Sequence, residues 1–110
     1  MRKSLLAAAV STLALTNAAL AEVPSVAVDI PPVYSLVAQV MKGVGTPDLI
    51  VQQGASPHGY SLRPAEAEAL QRANIVFWVG EPLEPWLRRS IESLAADAKS
   101  IELMESEGTT

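Results

Sequence analysis

The chain has 110 residues, enough for one modest domain, and with 49% hydrophobic against 18% charged residues its composition is that of a folding chain rather than a disordered one. It contains no cysteine, which excludes disulfides, thiolate metal sites, a thiol nucleophile and a cysteine-borne lipid anchor. Eight basic residues against 12 acidic ones, a net charge of -4, leave no basic stripe for a nucleic acid.

Residues 1–21 differ in composition from the rest of the chain. Met1-Arg2-Lys3 is a short basic start, Leu5 to Leu20 is apolar apart from Ser11, Thr12, Thr16 and Asn17, and Ala19-Leu20-Ala21 is a small-x-small cleavage pattern before Glu22. This is the three-part form of a secretory signal peptide, expected to be cut after Ala21. A membrane helix competes with that reading, but the uninterrupted apolar run falls short of the roughly 20 residues a span requires. Removal of Arg2 and Lys3 leaves 6 basic and 12 acidic residues, a formal charge of -6. An acidic exported chain without cysteine fits a bacterial periplasm.

From Glu22 onward, short β-rich runs alternate with helical periodicity. Val23 to Ile30 reads as a first strand, nearly continuous in apolar residues, as expected where both sheet faces are covered. Pro31-Pro32 stops it and suits the first turn of a helix, whose buried face is predicted at Val33, Leu36, Val37 and Val40. Gly43 and Gly45 end that helix. Asp48 to Gln52 is a second strand and Gln53 to Arg63 a loop. Pro64 opens a second helix with Glu66 and Glu68 near its positive end and a thin apolar face at Ala65, Ala69, Leu70 and Ala73. Asn74 to Gly80 is the strongest strand signal, with two aromatics in an apolar run. Leu83, Leu87, Ile91 and Leu94, with Trp86 alongside, mark a third helix over Glu84 to Ala96. Lys99 to Leu103 reads as a fourth strand, and Met104 to Thr110 carries no structural signal. The order β-α-β-α-β-α-β implies an α/β fold, a parallel sheet with flanking helices. Ligands in such sheets sit beyond the carboxyl ends of the strands, which directs attention to the 53–63 loop and to the loop after Gly80.

The sole histidine, His58, lies in the first of these loops between Pro57 and Gly59. A lone loop histidine is ordinarily a solvated one. Here the loop lies at the ligand edge, Pro57 restricts the backbone before the ring, and Gly59 allows close approach after it. Neutral imidazole is the commonest metal ligand, yet zinc takes about four ligands. Asp29, Glu81 and Glu84 stand near strand ends and could offer oxygens, but carboxylates in such places are more commonly solvated or helix-start charges. No GxGxxG, GxxxxGK[ST] or GxSxG pattern is present, so neither phosphate cradling nor a nucleophile elbow is supported, and no catalytic or cofactor-binding residue is assigned. Trp78 and Trp86 read as packing residues, and Arg88-Arg89 as a solvated helix face.

The stretch GASPHGYSLRP (Gly54 to Pro64), followed by NIVFWVGEPLEPWL (Asn74 to Leu87), resembles the N-terminal lobe of the zinc-uptake substrate-binding proteins of bacterial ABC transporters, the ZnuA type within the metal-binding cluster. The resemblance runs from the leader to about residue 103. It implies two α/β lobes joined by a long helix, with a divalent metal held between them by several histidines and sometimes a carboxylate. The histidine of the PH segment, which maps onto His58, is the first of those ligands. It further implies Zn2+ as transported ligand with Mn2+ as a possibility, a monomer that delivers its cargo to a membrane permease driven by an ATPase, and no enzymatic activity. A manganese- or iron-binding or adhesin-type member of the same cluster is the alternative, since mixed histidine and carboxylate sites tolerate manganese and only the first ligand is present here. The chain departs from the family pattern in four ways. It lacks the later histidines, the linking helix and the second lobe, and Pro57 stands where some relatives have a carboxylate. Residues 22–110 are therefore expected to be the N-terminal lobe of a truncated sequence, binding zinc weakly alone.

Overall fold

The computed structural model describes residues 22–109, so the expected leader and its cleavage site lie outside the described residues. Four strands form one parallel sheet: β1 (Val26–Val28), β2 (Asp48–Leu49), β3 (Ile75–Trp78) and β4 (Lys99–Glu102), in the order β2-β1-β3-β4. Register pairs Ala27 with Asp48, Val28 with Phe77, and Trp78 with Glu102. The alternating α/β expectation holds, with three helices between the strands: α1 (Pro31–Val40), α2 (Pro64–Arg72) and α3 (Pro85–Leu94). Each helix starts on a proline, where the fixed φ is already helical and the missing N–H leaves no partner unsatisfied.

The strands are shorter than the apolar runs that announce them. Val23 to Ser25 precede the ladder, and the Ser25 N–H donates to the Asn74 Oδ1 at 2.8 Å. Beyond β2 the pairing continues, since the Ile50 and Val51 N–H groups donate to the carbonyls of Val28 and Asp29 at 2.9 and 2.7 Å. After β4 the chain makes a short 3-10 turn over Leu103–Glu105, a feature without a sequence signal.

Strand alternation sorts the core into two faces. On one, Ala27, Val76 and Trp78 pack with Leu70 and Ala73 of the second helix region and with Leu87 and Ile91 of α3. On the other, Val26 and Val28 meet Val33 of α1, with Ile75 and Phe77 only half-buried beside them. One helix cannot cover a four-stranded face, which corrects the expected burial of the α1 stripe. Val33 is buried, but Leu36 is 63% and Val40 85% exposed. An open apolar groove of about 420 Å³ runs between α1 and the bare half of that face. In α2, Ala69 and Leu70 are buried as expected, whereas Ala65 is exposed.

Candidate functional site

The strand order places a topological switch point between β1 and β3, where the chain's crossovers diverge and α/β sheets form their crevices. Asp29 follows β1 directly, and its Oδ2 accepts a 2.7 Å hydrogen bond from the Val79 N–H, which follows β3. The Asp29 N–H donates to the Phe77 carbonyl at 3.1 Å. The residue closing this crevice is Glu84. Gly80 has φ +146°, a conformation that L side chains rarely adopt, and its carbonyl accepts the N–H groups of Leu83 and Glu84 at 3.1 and 3.0 Å. The resulting turn carries Glu84 to the start of α3 and folds it inward.

Asp29 and Glu84 are both 0% exposed; Glu84 stands at a helix start as expected, as the N-cap residue of α3, but neither carboxyl is solvated. Asp29 Oδ1 and both Glu84 carboxyl oxygens have no hydrogen-bond donor among the described residues. Two buried carboxylates side by side cannot both stay charged at tolerable cost. Burial foremost, then hydrogen bonding with Asp29 and the charge of Asp29, pushes the Glu84 carboxyl up to about 9. Glu84 is therefore protonated at neutral pH and supplies the donor this acid pair otherwise lacks. Glu81 stands apart. It is exposed and pairs with the Arg88 Nε at 3.1 Å, while the Arg88 Nη2 reaches Glu102 at 3.1 Å and the guanidinium lies 5.5 Å from the Trp78 ring centroid. Arg88 is thus tied down rather than simply solvated; Arg89 is exposed as expected.

His58 occupies the 52–63 loop beyond β2 and is exposed. The loop around it is anchored. The Pro57 carbonyl accepts a 2.6 Å hydrogen bond from the Trp86 Nε1 of α3. The Tyr60 hydroxyl donates to Glu66 at 2.8 to 2.9 Å, and its ring lies 5.8 Å from that of Trp86. Glu66, only 4% exposed, also accepts the Arg63 N–H at 2.8 Å and the Gln52 Nε2 at 3.0 Å. Burial alone would raise the Glu66 carboxyl, but the hydrogen bonds from Arg63, Tyr60 and Gln52 outweigh it and hold it below its ordinary range. Burial, and then the hydrogen bond to Glu66, raises Tyr60. Nothing in the chain lies within 4 Å of the place a Cβ would take at Gly59, so the backbone beside His58 stands open.

The structure therefore does not gather the candidates into one centre. Asp29 and Glu84 meet in the crevice, Glu81 joins Arg88, and among the described residues no three histidine or carboxylate side chains are placed to hold a metal ion. His58 offers one imidazole from an anchored loop. The anchors themselves, Trp86, Tyr60 and Glu66, carry no sequence signal for an anchoring role beyond a packing residue at Trp86 and a helix-start charge at Glu66. A local signal for the clamp is Glu66 at the third position of a proline-led helix, the place from which a carboxylate reaches back to the helix start.

Residues 26–109 match the family described as "ZnuA: Zinc-uptake complex component A periplasmic". The chain is similar to the high-affinity zinc uptake system protein ZnuA of Paracoccus denitrificans (strain Pd 1222), 46% identical over 104 residues that cover 94% of this chain and 31% of that protein. It thus spans about a third of that relative's length. Its fold is shared with the metal-dependent lipoprotein YcdH from Bacillus subtilis (TM-score 0.67, 21% identity, 78% of this chain and 33% of that one). The Zn(II)-bound ZnuA-like domain of Streptococcus pneumoniae AdcA has the same fold (TM-score 0.64, 21% identity, 76% of this chain and 32% of that one). With the family pattern matched from β1 to the end of the described residues, the chain belongs to the ZnuA family of periplasmic zinc-uptake components.

Proposed function

We propose that this chain is the N-terminal lobe of a periplasmic zinc-binding component of an ABC uptake system, and that His58 supplies one nitrogen ligand to the Zn2+ it carries. Family membership across residues 26–109 is the observation that carries this reading. The exposed imidazole on an anchored loop at the carboxyl edge of the sheet agrees with it. Zinc is cargo here: the lobe holds the ion and passes it to a membrane permease powered by an ATPase, with no chemistry done on the ion. Residues 1–21 serve as the export signal and residues 22–110 as the lobe.

A single imidazole gives weak, chelate-free binding, because each absent ligand removes both bond energy and preorganisation. Calorimetric titration of the chain with Zn2+ is expected to show saturable weak binding that His58→Ala abolishes. His58 is exposed, so the same substitution should leave the thermal midpoint unchanged. Tight one-to-one binding that survives His58→Ala would refute the assignment.

A further inference from the structure

We propose that Trp86 and Glu66 are positioning residues for metal capture: through Pro57 and Tyr60 they fix the backbone on both sides of His58, so that the imidazole meets the ion from a loop already ordered. This rests on the reading of His58 as a zinc ligand. The geometry is specific. The Trp86 indole N–H, from α3, holds the carbonyl of the residue immediately before His58 at 2.6 Å. Glu66, from α2, holds Tyr60, two residues after it, at 2.8 to 2.9 Å. The same carboxylate takes donors from Gln52 and from the Arg63 N–H, the two ends of the loop, at 3.0 and 2.8 Å. The Tyr60 and Trp86 rings approach to 5.8 Å, so the two clamps touch each other. None of these contacts uses the His58 ring, which stays exposed.

A loop punctuated by Gly54 and Gly59 is costly to order, and a ligand on an unanchored loop must meet that cost when the ion binds. Outer partners that fix a ligand's orientation commonly carry about tenfold or more in metal affinity. Trp86 and Glu66 do this at one remove, through the backbone rather than through the second ring nitrogen.

The test compares the full wild-type chain with Trp86→Phe, which keeps a ring and removes the N–H, with Glu66→Gln, and with Ile91→Val as a core control that makes none of the loop's side-chain hydrogen bonds. Zn2+ titration followed by the His58 ring resonances gives affinity, and amide exchange over residues 54–61 without metal gives loop order. Trp86→Phe is expected to weaken zinc binding about tenfold and to speed exchange in the loop but not in β1 or β3. Glu66→Gln, which loses one acceptor oxygen, should act in the same direction, and Ile91→Val should lower the thermal midpoint with zinc affinity retained. Unchanged affinity in Trp86→Phe, or equal weakening in Ile91→Val, would overturn the proposal. A wild-type His58 indifferent to zinc would instead overturn the zinc reading, and the exchange rates would still decide whether the loop is clamped.

Discussion

Replacing Glu84 by glutamine should make the chain more stable at neutral and alkaline pH. Glu84 is fully buried beside Asp29, and its carboxyl is pushed from 4.5 up to about 9. Between those values the folded chain keeps a proton that the unfolded chain releases. Folding therefore takes up one proton, and stability falls as pH rises through this window. The slope for one proton is about 1.4 kcal/mol per pH unit, so the contribution that is full below 4.5 has shrunk by about 3 kcal/mol at pH 7. Glutamine is neutral at every pH and its amide still offers Asp29 a donor. The wild-type and Glu84→Gln chains should then be similar near pH 4.5 and diverge by about 3 kcal/mol at pH 7, with the variant the more stable. Urea unfolding followed by tryptophan fluorescence, which senses the buried Trp78, measures this across pH 5 to 8. Parallel wild-type and variant curves over that range would show that Glu84 does not retain its proton on folding, and the acid-pair account would fail.

Other substitutions probe the frame of the site. Gly80→Ala should cost about 1–3 kcal/mol in urea unfolding, because φ is +146° and the new Cβ would stand 2.9 Å from Glu102 Oε1; an unchanged midpoint would argue against strain at this turn. Leu70→Ala, at 0% exposure, should cost about 2–5 kcal/mol, whereas Val40→Ser, at 85% exposure on the uncovered α1 face, should stay within about 0.5 kcal/mol. Comparable losses at both positions, measured by the same unfolding curves, would mean that the α1 face is covered in solution. Arg88→Gln should shift the unfolding midpoint only slightly, with most of the difference gone in high salt, since the Glu81 and Glu102 pairs are solvent-screened.

Local chemistry was enough to make the fold class and the element order legible. Prolines at positions 31, 64 and 85 start the three helices, and the apolar run through Val76 to Trp78 forms the strand at the sheet's centre. The loop holding His58 could be placed at the carboxyl edge because crossover handedness and strand polarity are properties of any alternating α/β chain. Only the tertiary structure decided which charges are buried. Asp29 and Glu84 are far apart in sequence and look like surface acids one at a time, but the β1–β3 pairing and the Gly80 turn bring both into a buried crevice. The same holds for Trp86 and Pro57, which meet across 29 residues through one hydrogen bond. In α1 the periodic stripe predicted burial correctly for Val33 and wrongly for Leu36 and Val40, because periodicity shows which face is apolar and not what lies opposite it. Hydropathy is written residue by residue, but desolvation and hydrogen-bond partnership depend on neighbours that only the folded chain supplies.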